Sequence, residues 1–179
     1  MRAVLDACVL YPTVLREILV GVAARGGFTP LWSARILAEW QHAAARLGPA
    51  GAAVASGEIA QLRGLWPMAE IPATPELEAR LDLPDAADKH VLATAISAQA
   101  DCIITLNLRD FPRRALQAEG LQAQSPDAFL MALWLDAPQI VEQAVDAART
   151  ATEAASGRAQ PVRALLKRAK LPRLGKALE

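Results

Sequence analysis

The sequence predicts an α/β fold: a short parallel sheet covered on both faces by helices, followed by a purely helical C-terminal part. Three observations carry this. Short apolar runs of strand length, RAVL at residues 2–5 and CIIT at 102–105, alternate with longer segments of helical period, the order that builds crossover units and a parallel sheet. Acidic residues stand just beyond these runs, Asp6 after the first and Asp110 after the second, where an open α/β sheet keeps its chemistry. With 53% apolar residues over 179 positions, the chain is long enough for one sizeable core.

Taken in order, Arg2 to Leu5 is the first strand, ending at Asp6. Pro12 suits the first turn of a helix to about Arg25, whose buried face is Val14, Leu15, Ile18, Leu19 and Val22, and Gly26 and Gly27 stop it. Phe28 to Trp32 is a second short strand. Ser33 is a good N-cap for the helix SARILAEWQHAAARL, which ends before Gly48 and Pro49. Glu39 lies inside it beside Trp40; read alone, it is as readily a solvated helix glutamate as a site residue. An alanine-rich helix from Ala50 to Leu65, a third strand at Met68 to Ile71 and a connector from Pro72 to Leu83 follow. A helix from Asp85 to about Gln99 buries Val91, Leu92, Ala95 and Ile96, and it leads into the strand Cys102 to Thr105. LNLRDFPRR is a turn or half-helix, and Leu121 to Ala123 a weak strand. From Ser125 onward the chain reads as helix: a capped SPDAFLMALWL, a helix from Pro138 to about Ala155, a break at Ser156 and Gly157, then PVRALLKRAKL.

Composition narrows the function classes. Nineteen basic and nineteen acidic residues leave no global field to draw nucleic acid or a membrane surface, so any attraction for a polyanion must be local. The C-terminal part is locally basic, with Arg158, Arg163, Lys167, Arg168, Lys170, Arg173 and Lys176. It is read either as a solvated face or as a phosphate- or partner-contacting patch. Two distant cysteines, Cys8 and Cys102, fit reduced thiols rather than a disulfide framework or zinc site. With no signal-peptide pattern and no apolar run of spanning length, a cytoplasmic location and no membrane partner are expected.

The acids carry the chemistry. Carboxylates converging from separate elements repel unless a cation or protons lie between them, and a hard ion such as Mg²⁺ or Mn²⁺ removes that cost using oxygen ligands, waters and substrate phosphate. Such a site suits phosphodiester chemistry, the ion orienting the attacking water and neutralising phosphoryl charge. Other accounts stand beside this one. Asp85 and Asp88 also read as an N-cap and a first-turn acid, and Asp110 and Asn107 as turn formers. Asp6, lying between apolar runs, is hardest to leave in free solvent. His42 and His90 have no metal-ligand spacing and are read as structural. Nucleophile-elbow, phosphate-loop and dinucleotide patterns are absent.

The stretches VLDACVLYP, LWSARILAEW and PDAADKHVLATAISAQADCIITLNLRDF, in that order and spacing, resemble the PIN-domain nucleases, in particular the VapC-like branch found in toxin–antitoxin pairs. The resemblance covers roughly residues 1–130, leaving 131–179 as a helical extension packed on or beside a PIN-like domain. It implies a three-layer α/β/α fold and an Mg²⁺- or Mn²⁺-dependent endoribonuclease acting on single-stranded RNA. It also implies a small antitoxin protein as partner, and homodimers. On this basis Asp6, Glu39, Asp88 and Asp110 match the catalytic acids, with Asp6, Asp88 and Asp110 as metal ligands. Asp85, Thr105 and Asn107 are secondary candidates, and the fourth position is open between Asn107 and Asp110. Arg109, Arg163, Lys167, Arg168 and Lys170 are candidate contacts to RNA or a partner. Cys8 departs from the asparagine or serine common two residues after the first acid, and is expected to remove a polar neighbour there. A catalytically inactive PIN-fold module that binds RNA or protein is the alternative. A phosphatase-like reading is weaker, since no second acid stands two residues after Asp6.

Overall fold

The computed structural model describes residues 1–179. Five strands, β1 (Arg2–Leu5), β2 (Thr29–Ser33), β3 (Glu70–Ile71), β4 (Cys102–Ile104) and β5 (Gln122–Gln124), form one sheet in the order β3-β2-β1-β4-β5. Every adjacent pair is parallel, so each connection must cross over. The helices α1 (Ala7–Leu10) and α2 (Thr13–Ala24) join β1 to β2; α3 (Ala34–Ala45) and α4 (Pro49–Leu65) join β2 to β3. The helices α5 (Pro75–Arg80) and α6 (Lys89–Ser97) lead to β4, and α7 (Arg113–Ala118) to β5. Four more, α8 (Pro126–Asp136), α9 (Pro138–Ser156), α10 (Val162–Arg168) and α11 (Pro172–Ala177), complete the chain. Ala3 to Leu5 and all of β4 are fully buried, so helices cover the middle of the sheet on both faces and the architecture is three-layer α/β/α.

The strand order decides where a site can form. Winding runs from β1 to β3 on one side and through β4 and β5 on the other, and it reverses between β1 and β4, where a crevice opens at the carboxyl ends. The register pairs Leu5 with Ile104, and the Asp6 amide donates to the Ile104 carbonyl at 3.1 Å. Asp6 and Thr105 therefore leave the sheet side by side at that crevice.

Several boundaries differ from expectation for local reasons. The second strand runs Thr29–Ser33 rather than from Phe28, whose ring instead packs edge-on against Phe129 of α8 at 5.0 Å. Pro30 is tolerated in this strand because β3 pairs only with Trp32 and Ser33, leaving its missing N–H outside any ladder. The third strand shrinks to Glu70–Ile71, and the fifth shifts to Gln122–Gln124. The helix expected from Asp85 begins instead as a 3₁₀ turn, Ala86–Asp88, because the Asp85 carboxylate accepts from the Ala87 amide at 2.8 Å; the α-helix starts at Lys89. Ser33 and Ser125 cap α3 and α8 as their positions suggest, accepting from the Ile36 and Ala128 amides. The short helices α1 and α11, and most of α7, were outside the sequence expectation.

The C-terminal helices share the core of the sheet. Val141, Ala144, Val145 and Ala148 of α9 belong to the same cluster of 43 buried side chains as Val4 and Ile103. Where α9 crosses α2, a Cβ on Gly21 would lie 3.2 Å from that of Ala144, so the helices meet at small residues. Buried Asp127 of α8 accepts from the amides of Arg173 and Leu174 at 3.0 and 3.1 Å, capping α11 from another helix. No helix is long and apolar enough to cross a membrane.

Candidate active site

Asp6 is only 6% exposed, and a carboxylate so buried needs donors. Its Oδ2 accepts from the Thr105 hydroxyl at 2.7 Å and the Cys8 thiol at 3.1 Å. The amide of Leu106 donates to the Cys8 sulfur at 3.2 Å, and that of Asn107 to Thr105 Oγ1 at 3.0 Å. Burial first, then the Asp6 charge, pushes the Cys8 thiol up to about 12, so it stays protonated and keeps donating. This corrects the expectation that cysteine removes a polar neighbour: the thiol accepts from the backbone and donates to the acid as a hydroxyl would. Asp6 Oδ1 has no protein donor.

Asp88 ends the 3₁₀ turn before α6. Burial first, then the charges of Asp6, Asp85, Asp110 and Glu39, raises its pKa to about 6. Carboxylates from four separate stretches of chain therefore bear on one position. Asp110 lies on the 3₁₀ turn Leu108–Asp110 with its side chain 20% exposed, 3.6 Å from Arg109 Nε. The Asn107 side chain is exposed and makes no hydrogen bond, and Asp85 spends an oxygen capping the turn. Glu39 is half exposed on α3. His90 Nε2 approaches its Oε1 to 2.8 Å and Arg35 Nε to 3.7 Å, while its Oε2 has no donor. The histidine was read from sequence as structural, and only its position in the fold reveals this contact.

The donor set is carboxylate oxygen: one oxygen of Asp6 is hydrogen-bonded by the protein, one of Glu39 is approached by His90 and Arg35, and the other of each is unclaimed, which fits a hard divalent cation. No group of three or more His, Cys, Asp or Glu side chains is disposed to clasp a single ion. A hard divalent ion can be held by one or two direct carboxylates with others reached through water. A cavity of about 520 Å³ is lined by His90, Ser33, Arg35, Trp66 and Thr74 among others, but by none of Asp6, Asp88 and Asp110.

The basic candidates near the C-terminus make no ion pair with these acids. Arg163 pairs with Glu179 at 2.5 Å, Arg168 bonds the Gln160 side chain, and Lys167 and Lys170 are exposed.

A family model described as PIN domain matches residues 2–109, a span that holds β1 to β4 with Asp6, Glu39, Asp85 and Asp88 and ends one residue before Asp110. The chain belongs to the PIN-domain family. Over 60 residues this PIN-domain chain is 42% identical to a protein of Mycobacterium tuberculosis named "Putative ribonuclease VapC50", covering 34% of this chain and 33% of that one. The chain thus matches about a third of that relative's length. No solved structure matches this PIN-domain chain.

Proposed function

We propose that this chain is a metal-dependent endoribonuclease of the VapC-like branch, cleaving single-stranded RNA as the toxin of a toxin–antitoxin pair. The observation that carries the reading is the convergence of Asp6, Asp110 and Glu39 on Asp88, whose pKa is raised first by burial and then by these charges and Asp85, at the carboxyl-end crevice where α/β sheets hold ligands. The partial similarity to a protein named as a ribonuclease supports it, as does the motif resemblance. Asp6, Asp88 and Asp110 would hold Mg²⁺ or Mn²⁺, with Glu39 beside them. Bound there, the ion would supply positive charge against the scissile phosphate and activate the attacking water. Thr105 and Cys8 hold one oxygen of the Asp6 carboxylate and leave the other without a protein donor. Asp110 rather than Asn107 takes the fourth position, since its carboxylate charge bears on Asp88 and a hard cation favours an anionic oxygen over a neutral amide. Arg109, 89% exposed at the rim, is placed to meet a phosphate of the strand.

The partner belongs to the same proposal: a small antitoxin protein covering the acidic site, with homodimers of the toxin. A cytoplasmic location suits an RNA substrate and two free thiols. A second reading, a PIN-fold module that binds RNA or protein without cleaving, is favoured by one observation, the lack of a preformed three-carboxylate clasp. The test is cleavage of end-labelled single-stranded RNA by the purified chain. Mg²⁺ or Mn²⁺ should support cutting, chelation should abolish it, and Asp6→Asn should lower the rate about 100-fold or more while melting as the wild type does. Cutting unaffected by chelator or by Asp6→Asn would overturn the proposal.

A further inference from the structure

His90 is 5% exposed, and neither ring nitrogen makes a hydrogen bond. A neutral imidazole carries one N–H and one acceptor nitrogen, and leaving them unpaired indoors is costly. Its Nε2 is nevertheless 2.8 Å from Glu39 Oε1. The distance is that of a hydrogen bond while the N–H direction misses the oxygen, and the broad torsion of a histidine ring allows the small rotation that would align it. Arg35 Nε lies 3.7 Å from the same oxygen, and its guanidinium is itself tied to Glu78 at 2.9 Å and to the Ala87 carbonyl at 3.5 Å. Both approaches fall on Oε1. Glu39 thus repeats the arrangement at Asp6, one oxygen held by the protein and one left over.

We propose that His90 is a positioning residue for Glu39: its Nε2–H donates to Oε1, holds the glutamate against α6 and leaves Oε2 to the acid cluster. Because His90 lies two residues after Asp88, this bond ties the helix carrying Glu39 to the turn carrying Asp88. A glutamate on three rotatable bonds gains most from such a tether. The role toward a cation rests on the nuclease reading above; the hydrogen bond does not.

The chain has two histidines, so ¹⁵N-histidine labelling of the full, metal-free protein resolves the question, with His42→Asn assigning the signals. His90 should show an Nε2–H in slow exchange that is lost in Glu39→Ala. A His90 proton on Nδ1, or a signal indifferent to Glu39→Ala, overturns the proposal. Calorimetric titration with Mn²⁺ tests the consequence. His90→Leu should weaken binding about 10–100-fold, and His90→Gln, whose amide reaches the Nε2 position, should recover most of it. Wild-type affinity in His90→Leu, or no recovery in a folded His90→Gln, removes the positioning role and leaves the cation reading intact. A wild type that keeps the Glu39-dependent Nε2–H but binds no Mn²⁺ removes the cation reading and supports the bond alone.

Discussion

At Asp88, burial and four neighbouring carboxylates keep the proton on up to about pH 6, against an ordinary value of 3.8. Between those values the folded chain binds a proton that the unfolded chain has released. This contribution to stability is full below about pH 4 and lost as pH rises through about 6. Asp88→Asn should therefore stabilise the metal-free protein near neutral pH. The gain should be on the order of 1 kcal/mol after solvent screening, a Tm rise of about 2–4 °C, with no gain near pH 4. Melting curves across that range check this, and destabilisation at neutral pH would contradict it. Cys8 gives a second prediction at this scale. Cys8→Ser keeps a donor to Asp6 and an acceptor for Leu106, so it should hold cleavage within about 3-fold, whereas Cys8→Val strands both partners and should cost about 10-fold or more. Equal rates in the two variants would contradict the relay. Asp6 was legible in the sequence because charge between apolar runs is conspicuous, whereas Glu39 stood out from a solvated helix glutamate only through the family resemblance. The Cys8 bonds and the His90–Glu39 approach were not legible, because each joins residues that only the fold brings together.

Among the elements, the short helix α1 depends on a residue outside it. The buried guanidinium of Arg16 donates to the Leu10 and Tyr11 carbonyls at 2.6 and 3.2 Å, pairs with Glu58 at 2.6 Å and lies 4.5 Å from the Trp40 ring. It satisfies the unpaired carbonyls at the end of α1 and links α2 to α3 and α4. Arg16→Leu leaves those carbonyls and Glu58 without a donor and should destabilise by about 2–4 kcal/mol. Because α1 follows Asp6 directly, cleavage should fall as well. Chemical denaturation checks the first figure, and a loss below about 1 kcal/mol would contradict the account. Elements with strong period or caps were readable, such as α2 with its apolar stripe and α3 behind Ser33. Those set by tertiary pairing were not. The two-residue strand β3 exists because Trp32 and Ser33 offer it an edge, and α11 exists because Asp127 caps it from α8.

Over the whole molecule, one core joins sheet and C-terminal helices, and the reversal of winding between β1 and β4 makes the crevice. The parallel class followed from alternating runs, but strand order did not, since nothing local tells β4 to join β1 rather than β3. That order sets Asp6 beside Thr105 and brings the turn bearing Asp88 and the glutamate of α3 near them. The central claim is that these acids form one cation site, and Mn²⁺ titrated by calorimetry into metal-free wild type and Asp6→Asn addresses it directly. Saturable binding by the wild type, weakened about 10-fold or more in an Asp6→Asn protein that melts normally, is the predicted result. No binding by the wild type, or equal binding by both, would contradict it.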